Sequence, residues 1–166
     1  MNKASNSSQE IELRKVRESD LPIFFEQQND PAAHEMVGVT SHAPDDREAY
    51  FEKWERILPD KNITKRTILY NGDVAGVINC FFAPWSEEWE VGYWIGREFW
   101  GLGIASGALR LFLEIEERRP LHATASTHNK ASVAVLEKCG FEKTGKKKVL
   151  VERSGKEIEE FSFVLN

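Results

Sequence analysis

Gly101 and Gly103 stand in the run Trp100-Gly101-Leu102-Gly103-Ile104-Ala105-Ser106. Before the run lies an apolar alternation ending at Ile95, and after it an apolar stretch at helical spacing. Backbone N–H groups at a helix start have no partner inside the helix, and the helix dipole adds partial positive charge there. Glycines lack a Cβ, so a phosphate can approach that backbone closely. Ala105 and Ser106 keep the first turn small. Together these features read as a diphosphate seat. A Gly-x-Gly alone is equally compatible with a tight strand-to-helix turn that binds nothing. No Gly-Lys-Ser/Thr follows, which excludes a Walker-type loop. The third glycine of a dinucleotide fingerprint is missing at its required spacing. Further along, Asn129 and Ser132 lie one helical turn apart and face one side of their helix.

The elements that must position these residues follow from periodicity and punctuation. Residues 10–17 alternate through Ile11, Leu13 and Val16, which predicts a strand. Ser19 or Asp20 as N-cap, with Pro22 just inside, predicts a helix over 21–28, broken by Asn29-Asp30-Pro31. Residues 32–39 are ambiguous. Pro44-Asp45-Asp46 opens a second helix over 47–57, ended by Pro59. Residues 66–70 and 74–82 are strands about Asn71-Gly72, a dipeptide suited to a tight hairpin. Residues 89–95 form the next strand, with Val91, Tyr93 and Ile95 on one face. The helix after Gly103 runs to about Arg118-Arg119-Pro120. Residues 121–126 read as a buried strand, and 129–138 as a helix stopped by Gly140. Residues 141–151 and 157–165 read as antiparallel strands joined at Arg153-Ser154-Gly155. The pattern is one mixed α/β domain over residues 10–166, preceded by a polar, serine-rich and disordered N-terminal tail over residues 1–9.

Two stretches carry a family resemblance. One is Glu90-Val91-Gly92-Tyr93-Trp94-Ile95-Gly96 followed by Phe99-Trp100-Gly101-Leu102-Gly103-Ile104-Ala105. The other is Asn129-Lys130-Ala131-Ser132 through Lys138-Cys139-Gly140-Phe141. With the element order along nearly the whole chain, they resemble the GNAT superfamily of N-acyltransferases, in particular its Rim-like branch of ribosomal-protein N-terminal acetyltransferases. Many members have Gln or Arg where this chain has Trp100, and the Rim-like branch often has an aromatic there. The resemblance implies a mostly antiparallel sheet of six to seven strands, flanked by helices and splayed between its fourth and fifth strands.

The resemblance also implies roles. Trp94, Ile95, Trp100 to Ser106, Asn129 and Ser132 would bind acetyl-CoA as co-substrate, with its pantetheine arm in the splay. A backbone N–H near Trp94 or Ile95 would polarise the thioester carbonyl. An amine, either a peptide N-terminus or a small amine, would attack directly. Many members place a tyrosine seven residues after the Asn as general acid, but here that position is Leu136. Ser132 is then the best donor to the leaving sulfur, or else a small residue that allows close packing; by pKa a hydroxyl is a poor acid. Glu90, or a water it orders, is the candidate base, against a reading as a solvated strand glutamate. Tyr93 alternates away from Glu90 and Trp94, which assigns it to the core with its hydroxyl in reach of the cleft.

Other features read more blandly. Trp85, Trp89 and Trp94 cluster around one turn, as an aromatic wall or as core and rim packing. His34 and His42 fall in a loop that lines the acceptor side in this fold, and solvated histidines are the default. Lys146-Lys147-Lys148 could attract a phosphate, or could guard a strand edge. Net charge is -5, which argues against a nucleic-acid partner. No run near twenty apolar residues exists, so no membrane span is expected. No apolar leader is present, so a cytoplasmic setting is expected, with Cys80 and Cys139 as reduced thiols. The histidines show no ligand spacing, so no metal is expected. Monomer and homodimer both stay open. The rival function is a non-catalytic acyl-CoA-binding sensor or interaction module on the same fold.

Overall fold

The computed structural model describes residues 10–33, 46–151 and 155–166. The tail over residues 1–9, both loop histidines (His34 and His42) and the turn residues 153–154 lie outside them. The strands are β1 (Ile11–Arg14), β2 (Thr64–Tyr70), β3 (Asp73–Ala83), β4 (Glu88–Ile95), β5 (Leu121–Ser126), β6 (Glu142–Val151) and β7 (Lys156–Leu165). The helices are α1 (Leu21–Gln28), α2 (Arg47–Ile57), α3 (Ile104–Ile115) and α4 (Lys130–Lys138). One seven-stranded sheet runs in the order β1-β2-β3-β4-β5-β7-β6. Every neighbouring pair is antiparallel except β4 and β5, which run parallel.

Strand alternation divides the sheet into two faces. On one face α3 and α4 bury Ile104, Ala108, Leu109, Phe112 and Leu136 against Ile78, Val91, Leu121, Ala123 and Phe163. On the other, α1 and α2 bury Leu21, Phe24, Tyr50 and Trp54 against Val77, with Trp94 at the margin. The Asn71-Gly72 hairpin forms as its residue types predict. Asn71 takes φ 49° and Gly72 φ 87°, values that an ordinary side chain rarely adopts.

Long-range side-chain bonds move several ends from where local pattern places them. Asp20 does not cap α1, because its carboxylate is turned to Arg14 at 2.6 and 2.8 Å, the Thr67 hydroxyl at 2.7 Å and the Arg17 N–H at 2.9 Å. A charged guanidinium outcompetes a helix N–H as a partner. That pull ends β1 at Arg14, short of the predicted residue 17. Likewise α3 stops at Ile115, three residues before the predicted Arg118. Glu116 turns inward there, accepting from Thr64 Oγ1 at 2.5 Å and from Arg118 Nη1 at 3.0 Å. The guanidinium of Arg118 also lies 3.9 Å from the Trp89 ring centroid. Among the described residues no helix is long and apolar enough to cross a membrane.

Candidate active site

The β4–α3 turn is built by backbone demands. Gly96 donates to Ala75 O at 2.8 Å, and residues 97–99 form one 3-10 turn. The Trp100 indole N–H donates back to Ile95 O at 2.9 Å, closing the loop on the strand it left. Gly101 and Gly103 then take φ 77° and 73°. A Cβ at either would meet nothing within 4 Å, so the loop surface is open there. Ile104, buried at 2%, pins the first residue of α3, while Leu102 stays exposed. The first N–H groups of α3, from Ile104 to Ser106, face this open surface without helix partners. Unpartnered N–H groups at a helix start have the chemistry to hold an anion.

Next to the turn, β4 and β5 barely pair. Glu90↔His122 is their one registered pair, whereas β5 and β7 share six. The strands therefore part toward their C-terminal ends, where Trp94 and Ile95 face Ser126 across the sheet. A gap between parallel strands at their carboxyl ends is where open α/β sheets take ligands.

Asn129 and Ser132 lie just after β5, at the start of α4. Asn129 is the N-cap of α4, and its Oδ1 accepts from the Ser132 N–H at 3.2 Å. Its carbonyl oxygen is thus a structural cap as well as a candidate contact. The Ser132 hydroxyl lies 2.7 Å from the hydroxyl of Tyr93 on β4. Burial pushes the Tyr93 phenol up to about 12, although the bond to Ser132 pulls the other way. The core assignment of Tyr93 therefore holds for its ring, while its hydroxyl reaches the candidate donor.

Glu90 faces the other side of the sheet, with Trp94. Its Oε1 accepts from Ser86 Oγ at 3.0 Å. Glu160 on β7 shares this face, is only 7% exposed, and was missed by the sequence reading. Burial raises its carboxyl pKa, Lys147 lowers it, and the charge of Glu90 raises it again. The only trace of Glu160 in the sequence is a carboxylate at a period-two position between Ile158 and Val164. Opposite it in register is Ser126, whose hydroxyl lies 2.6 Å from His128 Nδ1. A hollow of about 270 Å³, lined by Ile23, Gln27, Asp30, Gly96 and Arg97 among others, opens where α1 meets the loop.

The three tryptophans do not cluster. Trp85 is 72% exposed and touches Phe81. Trp89 packs on Phe82 and Arg118 on the opposite face. Trp94 lies beneath α1, donating to Gln27 O at 3.1 Å. Alternation along β4 and the turn before it separates residues that are close in sequence. Lys146 to Lys148 lie on the exposed edge strand β6, with Lys146 3.4 Å from Glu159. Cys80 and Cys139 are free thiols. No group of three or more metal-ligating side chains occurs among the described residues.

A seven-stranded sheet with one parallel pair parting beside an open glycine turn is the architecture of the GNAT acetyltransferases. Residues 10–142 match the family model described as the Acetyltransferase (GNAT) domain, and the chain belongs to that family. YdaF, a proposed ribosomal N-acetyltransferase of Bacillus subtilis (strain 168), is 35% identical over 106 residues. That stretch covers 60% of this chain and 57% of YdaF, so the match spans under two thirds of that relative. Among solved structures, ribosomal-protein-alanine N-acetyltransferase from Brucella melitensis superposes with a TM-score of 0.78 at 22% identity, covering 93% of this chain and 98% of that one. Spermidine N-acetyltransferase from Vibrio cholerae, solved with CoA and spermine, gives 0.76 at 14% identity, covering 93% and 95%. At these identities the two structures share the fold with this chain.

Proposed function

We propose that this chain is an acetyl-CoA-dependent N-acetyltransferase acting on a primary amine, either a protein N-terminal α-amine of the Rim-like kind or a small-molecule amine. The supporting observation is that the candidate groups lie on opposite faces of the sheet, on either side of the parted strands. Ser132 with Tyr93 is on the α3/α4 face. Glu90 is on the α1/α2 face.

Acetyl-CoA supplies the activated thioester. The N–H groups from Ile104 to Ser106, with the open surface at Gly101 and Gly103, would hold its diphosphate, and Trp100 and Leu102 would border it. Backbone groups of Trp94 and Ile95 would pair with the pantetheine arm, and one N–H would polarise the carbonyl. Asn129, its oxygen held by α4, offers its amide N–H groups to the arm. Glu90, or a water on it, would take the proton that an ammonium must lose to become nucleophilic. Ser132 would donate to the departing sulfur from the other face. Holding both partners in one cleft lets the amine attack directly, without a covalent enzyme intermediate. The named acceptors of the relatives, a ribosomal protein and spermidine, both present an amine.

Incubation with acetyl-CoA and a panel of alanyl and seryl peptides, polyamines and amino acids, read by mass spectrometry, tests the reading. At least one amine should gain an acetyl group. Tight acetyl-CoA binding with no acetylated product from any of the panel would instead favour a non-catalytic sensor.

A further inference from the structure

We propose that Tyr93 is a positioning residue for acyl transfer, donating its O–H to Ser132 Oγ and so freeing the serine hydrogen for the leaving sulfur. The inference rests on the reading of Ser132 as the sulfur's donor.

Two hydroxyls 2.7 Å apart share one hydrogen bond, and either oxygen can be the donor. Which one donates decides what the pair can do. If Ser132 donates to Tyr93, the serine hydrogen is spent, and the phenol hydrogen must find another acceptor. The Tyr93 hydroxyl has no other hydrogen-bond partner among the described residues. A part-buried O–H that gives up its one protein acceptor is less well satisfied. If Tyr93 donates, its hydrogen is satisfied, and Ser132 keeps a hydrogen free to point into the gap. A phenol is also the more acidic hydroxyl and the better donor.

The backbone supports the same direction. Ser132 sits in the first turn of α4, its N–H held by the Asn129 cap at 3.2 Å, so its Cβ has little freedom. Tyr93 is fixed by its ring, packed against the α3/α4 core. Both groups are set before any substrate arrives, which is what electrostatic stabilisation of a developing charge requires.

The hydrogen bond is the whole contribution, and no proton crosses. A phenol pushed up to about 12 cannot hand its proton to a thiolate whose own pKa lies near 8.5 without a cost of roughly a thousandfold or more. The sulfur leaves as thiolate, stabilised by Ser132 O–H, and that O–H is strengthened because its oxygen accepts from Tyr93.

A double-mutant cycle tests this. Turnover, the Michaelis constant for acetyl-CoA, and calorimetric acetyl-CoA affinity are measured for the wild-type protein, Tyr93→Phe, Ser132→Ala and the double variant. The acceptor is whichever amine of the panel of peptides, polyamines and amino acids the wild-type protein acetylates fastest. Tyr93→Phe should lower kcat about tenfold, the worth of one neutral hydrogen bond, with KM and affinity unchanged. In the Ser132→Ala background the same change should do nothing further. An unchanged kcat in Tyr93→Phe, or an equal loss in both backgrounds, overturns the inference while leaving the acetyltransferase reading intact. A wild-type protein that acetylates no amine of that panel overturns both. Should Tyr93→Phe melt early, 3-fluorotyrosine at position 93 keeps ring and hydroxyl and acidifies the phenol. It should hold or raise kcat, and a tenfold loss there would also overturn the inference.

Discussion

At Gly103 two demands meet. Its φ of 73° is one that a residue with a Cβ adopts only at a penalty of about 1–2 kcal/mol, and its Cβ position is open. Gly103→Ala therefore meets strain and no clash. It should lower the melting temperature by a few degrees and leave acetyl-CoA binding within about tenfold of wild type. Gly103→Glu carries the same strain and adds a negative charge beside the proposed diphosphate seat. Its affinity in calorimetry should fall at least about 100-fold below that of the alanine variant, since like charges set together lose several kcal/mol. Equal affinities for the two variants would place the diphosphate elsewhere. The glycine turn itself was legible because a left-handed backbone between a strand and a helix is a local demand. The Ser132–Tyr93 contact was not, because it joins residues 39 apart and depends on how α4 docks.

Elements are tied together by a few buried polar groups. Asp20, 2% exposed, joins β1 through Arg14 to β2 through Thr67 and to the start of α1. Burial alone would raise its carboxyl pKa, but the bonds from Arg14, Thr67 and the Arg17 N–H outweigh it and hold it below the ordinary range. Asp20→Asn leaves Arg14 without its counter-charge. It should cost about 3 kcal/mol in chemical denaturation. The contribution of Asp20 is present above the carboxyl's unfolded pKa and is lost as pH falls through its lower folded value. The gap between wild type and Asp20→Asn should therefore narrow in strong acid. A gap that widened on acidification would contradict the depressed pKa.

These same bonds show where sequence stops being sufficient. α1, α2 and β5 have the ends that Pro22, the sequence signal Pro44-Asp45-Asp46 and the apolar run 121–126 predict, because each signal lies close in sequence to its element. The end of α3 was misplaced because Glu116 is drawn to Thr64, 52 residues away. The parting of β4 from β5 has no local signature at all and was legible only through the family resemblance. Glu160 was missed for a related reason. Its burial depends on β7 lying between β5 and β6, an order that strand periodicity does not reveal.

At the scale of the whole molecule, the proposed reaction site is the gap between β4 and β5, with different polar groups on the two faces of the sheet. The α1/α2 face, proposed as the acceptor side, carries Glu90 and the buried Glu160, and the chain's net charge of -5 would favour approach of a cationic amine. A buried carboxyl with a raised pKa weakens the fold when charged. Its contribution is present below the ordinary 4.5 and is lost as pH rises through the higher folded value. Glu160→Gln should therefore melt above wild type at neutral pH, with the difference closing below about pH 4.5. A variant that melts lower at neutral pH would show that the Glu160 charge is needed by the fold. Thiol release from acetyl-CoA, followed in the wild-type protein and Ser132→Ala with calorimetric affinity measured in parallel, tests the acyl-transfer site most directly. Wild type should release CoA only when an amine is present. Ser132→Ala should bind acetyl-CoA as tightly and turn over about 100-fold more slowly. Equal turnover in the two proteins, or tight binding without amine-dependent release in wild type, would contradict it.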